Sequence, residues 1–458
     1  MFPTSPVVWL AVFLMLPASV SLGNSACTIR MSSYLGGSGD DDAVVGLRIA
    51  ADATIVVAAN LAGDFDPLVK PEKTGGDAGR RGAVLRLSGD GRRILSFHRI
   101  ADEVKDLALD GKDNICVAAG KMGAIRLSPQ ADQVLWTKDL GDSCDRIDAA
   151  ADGHAVALVA GKQVVMLDPA GKQLAAIAGK AFTTDVCIDG ATKTVVYTGF
   201  RNARAHDGKR NEPVQIAYVK AVGYDGREKW TDYDWSTDQT SERFVNRSTN
   251  NMADTRAYRC SVGRDGKLYA AFESAGGNHI FRRLPTNIME KAPLVGGGPH
   301  HEFWGGGGAV HRTVFGRFDI HTGKVDLVQQ FTGRDEKNRC TNVRMKQGAV
   351  AADEDGRVFL AGGAGASLPI DLDPIPSQPR GGPFLLGMAP DLRGRLVCTR
   401  MHGQGSVHAL DVRTIGRQAV VVYGGSGAEE GMFVQDAVQK AARGKDGFLV
   451  ILQGAASP

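Results

Sequence analysis

The chain has 458 residues, of which 58 are glycine and 43% are hydrophobic, a composition that excludes a disordered chain. The aperiodic glycines exclude a collagen-like fold and favour short strands joined by tight turns. Lysine and arginine number 54 against 51 acidic residues, which leaves a net charge of +3. That balance gives no basic footprint for nucleic acid and no polybasic membrane patch, so no nucleic-acid partner is expected.

The N-terminal segment has the pattern of a signal peptide. No charged side chain precedes Arg30, and residues 7–16 form an unbroken apolar run. The run is too short to span a bilayer, and small polar residues follow it. We therefore predict a signal peptide over 1–26, whose cleavage position the sequence leaves open, and an exported mature chain without a transmembrane segment. Cys27 comes next, but Asn24 stands where a lipoprotein signal has a large aliphatic residue, which argues against a lipid anchor.

The seven cysteines form no C-x-x-C pair and so give no zinc signature. Four of them lie in apolar, strand-like runs, where a thiol usually behaves as a small buried hydrophobe. An odd number in an exported protein implies at least one free or intermolecular thiol. The sequence does not assign the pairs.

One sequence motif recurs along the chain: an apolar run, an acidic-glycine turn and a short β-rich run that ends in small residues. Seven copies begin at Leu47, Leu107, Ala149, Val186, Cys260, Val350 and Ala409. Between copies lies a hairpin with Asp-Gly near its tip, as in 84–97 and 219–230. Glycine adopts the positive φ that such turns require. One motif and one hairpin per unit give four antiparallel strands, which form one blade of a β-propeller.

The two ends of the chain complement each other. Residues 447–452 form a strand that has no following partner, and residues 28–35 form a strand that has no preceding one. A blade shared between them would hydrogen-bond the last unit to the first and leave no fully exposed edge. The sequence thus predicts an all-β fold, a seven-bladed β-propeller over 27–458 whose terminal blade is shared between the N- and C-terminal strands.

The terminal residues also resemble a known repeat. The segment 34–41 (YLGGSGDD), followed by the run 55–59, looks like one half of the bacterial seven-bladed propeller repeat often called SBBP. Residues 446–452 (DGFLVIL) are similar to the other half, and the match is looser over 84–424. The resemblance implies an exported bacterial propeller of unassigned function. It carries no catalytic residues with it.

Three insertions interrupt the repeat, near residues 200–213, 231–256 and 285–311. Loops that depart from a repeat are where propellers usually carry function. In the first insertion, Arg201 and Arg204 are candidates to bind carboxylate or sulfate groups on an acidic ligand. The alternative is a loop whose charges simply face water.

The second insertion carries aromatic rings beside polar side chains. Tyr233, Trp235 and Arg247 are candidates for a sugar-facing surface, because rings pack on the apolar faces of sugars and polar groups bind the hydroxyls. A buried structural role for the rings is the alternative.

The third insertion is rich in histidine and glycine. His300, His301 and His311 are candidate ligands of a divalent metal ion if the glycines let the loop fold back. A solvated display loop is the alternative, and the sequence predicts no cofactor beyond this metal.

These features favour an exported scaffold that binds a glycan or a surface protein. Two alternatives stay open: a lyase or hydrolase of acidic polysaccharides, and a structural component of a surface assembly. No G-x-S-x-G elbow, Walker loop or H-E-x-x-H motif is present, so catalysis is the less favoured class. The sequence leaves the ligand and the oligomeric state open.

Overall fold

The computed structural model describes residues 27–63, 82–100, 102–206, 211–235, 253–276, 280–303, 310–372 and 381–456. Their regular structure is β-strand apart from one 3₁₀ turn, η1 (Ile280–Arg282). The predicted signal peptide lies outside these residues. No helix in the ranges just given is long and apolar enough to cross a membrane.

Strands β1 to β16 cover the first half of the chain. They are β1 (Cys27–Leu35), β2 (Ala43–Ile49), β3 (Ile55–Asn60), β4 (Gly82–Leu87), β5 (Ile94–Ile100), β6 (Asp106–Leu109), β7 (Ile115–Ala118), β8 (Ala124–Leu127), β9 (Val134–Lys138), β10 (Cys144–Ala149), β11 (Ala155–Val159), β12 (Gln163–Leu167), β13 (Gln173–Ala178), β14 (Phe182–Asp189), β15 (Thr194–His206) and β16 (Asn211–Gly223).

Strands β17 to β32 cover the second half. They are β17 (Glu228–Tyr233), β18 (Thr255–Val262), β19 (Leu268–Ala275), β20 (Arg283–Leu284), β21 (Asn287–Lys291), β22 (His311–Phe318), β23 (Val325–Phe331), β24 (Gly333–Arg334), β25 (Cys340–Thr341), β26 (Val343–Ala352), β27 (Val358–Ala364), β28 (Gly382–Met388), β29 (Arg395–Thr399), β30 (Ser406–Ile415), β31 (Gln418–Ala428) and β32 (Asp446–Ala456).

The larger sheets are antiparallel and built from groups of four strands. Five sheets are four-stranded: blade 2 (β6–β9), blade 3 (β10–β13), blade 4 (β14–β17), blade 5 (β18, β19, β22, β23) and blade 6 (β26–β29). An eight-stranded sheet contains blade 1 (β2–β5) and blade 7 (β30, β31, β32, β1), which meet through one residue pair, Ala43 with Ser426. The predicted count of seven blades stays a prediction, because it depends on dividing this sheet at that pair.

The terminal blade is shared as the sequence indicates. Strand β1 pairs with β32 along its length, with Met31 opposite Ile451 and Tyr34 opposite Phe448. Strand β32 pairs on its other side with β31. The N-terminal strand is therefore the outer strand of a blade whose other three strands come from the C-terminal end.

The turns explain much of the acidic-glycine repeat. At the β16–β17 turn, the Asp225 side chain accepts a hydrogen bond from the Arg227 amide, and Gly226 has φ of +80°. At the β18–β19 turn, Asp265 accepts from the Lys267 amide, and Gly266 has φ of +75°. Aspartate closes the turn with its carboxylate, and glycine takes the left-handed conformation without a Cβ clash.

Carboxylates on the inner strands tie neighbouring blades together. Asp185 in β14 accepts a hydrogen bond from the Cys260 amide of blade 5, at 3.0 Å. Asp148 in β10 accepts from Ile188 of blade 4, and Asp106 in β6 accepts from Ile147 of blade 3. Asp411 in β30 accepts from Ile49 of blade 1 at 2.7 Å, so the same contact spans the ring closure. Each bond fixes the angular position of one blade against the next.

Topology places every long connection on one side of the disc. In an antiparallel blade, the connections after the second and fourth strands leave on the same side, and the turns after the first and third strands leave on the other. All three predicted insertions are connections of the first kind: β15–β16, β17–β18 and β19–β22. We call this side the long-connection face and the opposite side the short-turn face.

The cysteines are all free thiols, six of them buried and Cys340 half-buried. Cys187 and Cys260 lie on adjacent inner strands of blades 4 and 5 and belong to one hydrophobic cluster. Burial raises the pKa of Cys27 to about 11, so this thiol is neutral at physiological pH.

One buried carboxylate has no partner to stabilise its charge. Asp232 in β17 is completely buried opposite Val219, and neither carboxylate oxygen has a hydrogen-bond partner among the described residues. Burial raises the pKa of Asp232 to about 8, so the folded chain holds it as a neutral acid near pH 7.

Deleting residues 445–458 should unfold the whole domain rather than fray one end. The deletion removes Phe448, Leu449, Val450, Ile451 and Leu452, none more than 1% exposed, and unpairs β1. Burial of each such side chain is worth about 1.5–3 kcal/mol, so the sum rivals the about 5–15 kcal/mol of a typical domain. Thermal unfolding checks this, with a chain lacking only 457–458 as control. Equal midpoints would contradict the closure.

Replacing Asp232 with asparagine should stabilise the protein at pH 8 and change little at pH 4. A folded-state pKa above the unfolded value means that stability is lost as pH rises from about 4 to about 8, by at most about 1.4 kcal/mol per unit. Asparagine removes the ionisable group and with it this loss. Denaturant unfolding of both proteins across that pH range checks the prediction. Asp225→Asn, on an exposed turn, is the control, and a parallel pH dependence in wild type and D232N would overturn it.

Candidate functional site

The first insertion brings Arg201 to the long-connection face, where this cation and two lysines outside the insertion contact one aspartate. Arg201 Nε donates to Asp234 Oδ1 at 2.6 Å, and Lys180 Nζ lies 2.5 Å from Asp234 Oδ2. Lys220 adds a third cation at 3.5 Å. Burial of Asp234 opposes its ionisation, yet the hydrogen bonds from Lys180 and Arg201 hold its pKa below the ordinary value. The predicted ligand-binding Arg201 therefore serves an internal ion cluster, and only part of its charge faces outward.

Arg204 lies further along the same hairpin and is exposed. Its backbone stands opposite Pro213 on β16. Residues 207–210 lie outside the described residues, and so does Arg247 of the second insertion.

An aromatic pair stands at the start of blade 4 on this face. Phe182 and Phe200 are directly opposite each other on β14 and β15, with ring centroids 5.0 Å apart and planes inclined by 23°. Phe182 is 45% exposed, which is unusual for a phenylalanine. Phe200 packs edge-on against the buried Tyr258, and the Arg256 guanidinium lies 5.9 Å from its ring. A rigid, partly exposed aromatic stack beside a cation is a competent contact surface.

Behind this stack lies a partly buried ion cluster around the buried Glu273. Arg256 donates to Glu273 at 2.7 Å and to Asp254 at 2.6 Å. His311 Nδ1 lies 2.8 Å from the same Glu273 oxygen. Burial lowers the pKa of His311 despite this carboxylate, with Arg344 and Arg256 acting in the same direction. The cluster fixes the orientation of Arg256 beneath the aromatic pair.

The expectation that Tyr233 and Trp235 face a sugar was wrong. Tyr233 is 4% and Trp235 5% exposed, and their rings pack edge-on at 5.3 Å. The backbone turns inward here: Tyr233 has φ of 62°, and its amide donates to Pro285 of the third insertion. Because the β19–β22 connection also packs Phe281 against Tyr233, both rings become part of the core.

The proposed three-histidine metal site was also wrong. His300 Nδ1 lies 2.9 Å from Thr332 O, and His301 Nδ1 lies 2.9 Å from Gln330 O, while His311 faces Glu273. Over the residues that the structure describes, no group of three or more histidines, cysteines or acids is placed to hold a metal ion. His301 contacts the backbone of β23 and is buried, and His300 contacts the backbone of the residue that follows β23 and is half-buried.

Sequence reasoning missed Phe182 and Phe200. The signal for them lies in the hairpin itself: both strands run outward from the turn at Gly190, so residues at matching distances from it face each other. The bulge near Asp185 shifts the register by one residue, and that shift brings the two rings opposite each other.

Comparison with known proteins supports the fold and leaves the family open. No family model matches the chain. No curated protein matches it either. A solved structure of U3-55K aligns with a TM-score of 0.51 and 11% identity, covering 92% of this chain and 98% of that one. A crystal structure of the RRP9 WD40 repeats aligns with a TM-score of 0.51 and 10% identity, covering 93% and 99%.

At that identity the likeness concerns the fold alone, and the fold is an all-β propeller, as the repeat predicted. The resemblance to the SBBP repeat and the bacterial origin that it implies stay predictions.

His301→Ala should destabilise the protein, contrary to the role of a displayed loop residue. His301 is 5% exposed, bonds to Gln330 and lies 5.5 Å from the Phe331 ring, so truncation removes a hydrogen bond and leaves a cavity. We expect a loss of about 1–3 kcal/mol. His321→Ala, at an exposed turn, is the control and should cost at most about 0.5 kcal/mol. Denaturant unfolding measures the stability of both variants. Equal, small losses of stability would show that the His301 side chain has no structural role.

Proposed function

We propose that this chain is an exported propeller scaffold that binds a partner protein on its long-connection face. The observation that carries the proposal is the partly exposed Phe182–Phe200 stack, backed by Arg256. Aromatic rings and arginine dominate the binding energy of protein interfaces, particularly where they are rigid before binding. Here, the ion cluster with Glu273 and the edge contact with Tyr258 supply that rigidity.

The charge around the stack indicates the chemistry of the partner. Lys180 lies two residues before Phe182 and is exposed, and Arg204 and Arg344 are exposed on the same face. Complementary potentials favour a partner segment that combines apolar and acidic side chains.

A protein partner is favoured over a glycan because the aromatic rings expected to face a sugar are buried. Tyr233 and Trp235 belong to the core between blades 4 and 5. The remaining stack presents two phenylalanine rings that have no polar group to bind sugar hydroxyls. A glycan stays a distinct outcome of the binding test.

Export is part of the proposal and rests on the sequence. The uncharged N-terminal segment with its apolar run at 7–16 has the form of a signal peptide. The resemblance of residues 34–41 and 446–452 to an exported propeller repeat agrees with it. N-terminal sequencing of the secreted or periplasmic protein would test this part alone.

The binding test starts with a photo-reactive amino acid at position 182 in the producing cells, and at position 174 as control. Leu174 is also 45% exposed but lies on the outer strand of blade 3. A partner crosslinked from 182 and not from 174 is then purified and titrated with the mature chain. A glycan array probed in parallel identifies a carbohydrate ligand instead.

F182A/F200A should bind the crosslinked partner at least about tenfold more weakly than wild type, because two anchoring rings are lost. L174A should bind normally. Circular dichroism and thermal unfolding confirm that the double variant is folded. Equal affinities of F182A/F200A and wild type would place the interface elsewhere.

A further inference from the structure

Two buried aspartates face each other where the ring closes. Residues 36–42 connect β1 to β2, and residues 429–445 connect β31 to β32, so both segments lie on the long-connection face at the junction of blades 7 and 1. Asp42 ends the first segment, and Asp446 follows the second as the first residue of β32. Both side chains are 0% exposed. The proposed partner interface uses neither of them.

Asp42 joins the connections through backbone amides. Its Oδ2 accepts a hydrogen bond from the Gly37 amide at 2.9 Å, and its Oδ1 accepts one from the Ala62 amide, just after β3. Its own amide donates to the Lys445 carbonyl at 3.1 Å. Hydrogen bonds from amides favour the charged form of a carboxylate. The junction therefore contains a buried negative charge.

Asp446 uses only one of its two oxygens. Its Oδ2 accepts from Gln439 Nε2 at 2.6 Å and from the Arg443 amide at 3.0 Å. Its Oδ1 has no hydrogen-bond partner in the part of the chain that the structure describes. Arg443 also attracts this carboxylate, but the atom by which it contacts Asp446 is the amide nitrogen, on Oδ2. A buried carboxylate oxygen without a partner is costly, so Oδ1 is available to a ligand.

The free oxygen points towards the other aspartate, across Gly36. A Cβ added to Gly36 would lie 2.7 Å from Asp446 Oδ1 and 2.6 Å from Asp42 Oδ2. The two oxygens therefore converge on one small space beside the glycine, which any other side chain at position 36 would fill. Two carboxylates that share a site repel each other unless a proton or a cation lies between them.

The surrounding charge and the donor type favour a cation. Residues 36–42 and 429–446 contain seven acidic side chains against three basic ones, an excess of four negative charges. Asp40 lies beside Gly444 and is exposed, so it adds negative charge next to the buried pair. Carboxylate oxygens are the ligands that calcium prefers, and its irregular coordination is readily completed by water. Magnesium requires a near-ideal octahedron, which two carboxylates from separate segments do not impose.

We propose that Asp42 and Asp446 bind one calcium ion at the junction where the ring closes. Asp446 contributes Oδ1, Asp42 contributes Oδ2, and water supplies the remaining ligands. Because only two carboxylates converge here, the site has the affinity of a weak calcium module, with a Kd of about 0.1–1 mM. The ion joins the connection that enters blade 1 to the start of β32, so it stabilises the closed ring. This proposal does not depend on the partner-binding face.

Titration calorimetry with calcium chloride tests the site in the mature chain, after treatment with a chelator and exchange into chelator-free buffer. We expect wild type to bind calcium, and D446N to bind it at least about tenfold more weakly, because the variant loses a charged ligand oxygen. D225N is the matched control, since Asp225 also precedes a glycine but has a 59% exposed side chain on a turn. It should bind calcium like wild type. Equal affinities of D446N and wild type would overturn the proposal.

A second measurement uses the unaltered chain in case D446N folds poorly. Calcium chloride at 10 to 100 times Kd should raise the thermal unfolding midpoint of wild type by about 2–4 °C over the chelator-treated protein. Magnesium chloride at the same concentration should raise it by less than half as much. No response to calcium would mean that a proton neutralises the pair, and an equal response to magnesium would mean general screening of the acidic segments. Either result would refute the calcium site.

Discussion

The pairing of β1 with β32 is the constraint on which the rest of the structure depends. A ring of sheets is stable only if its last unit is fastened to its first, because an open ring leaves two blade faces in water. Here a strand from one end of the chain completes the blade built from the other end. The apolar side chains of residues 448–452 are buried in this blade. The pairing of the two end strands therefore holds the ring closed.

Inside the ring, the same carboxylates that fix the blades also set the electrostatics of the axis. Asp106, Asp148, Asp185 and Asp411 use their oxygens on amides of neighbouring blades. Burial raises the pKa of Asp148 to about 6, against the attraction of Arg48.

The two faces of the disc serve different ends because of antiparallel topology. Insertions after second and fourth strands accumulate on one face without disturbing the turns on the other. Blade 5 illustrates the consequence: its β19–β22 connection supplies Phe281 to the core and Thr332-bonded His300 to the surface layer of the same face. An insertion that resembles a solvent-exposed loop in the sequence thus also packs against the neighbouring blade.

By itself the sequence determined the all-β fold, the repeating blade motif and the pairing of the two end strands. Each of these depends on local signals: alternating apolar residues, Asp-Gly turns and two complementary end strands. It also located the face, since the insertions interrupt the repeat at equivalent connections. Only the tertiary structure decided which side chains of those insertions are exposed. Tyr233 and Trp235 are part of the core because Phe281 and its neighbours in the β19–β22 connection cover them. His301 is buried where its ring contacts the Gln330 carbonyl. The Phe182–Phe200 pair depends on the bulge near Asp185, which shifts the strand register by one residue, and on Tyr258 of the next blade.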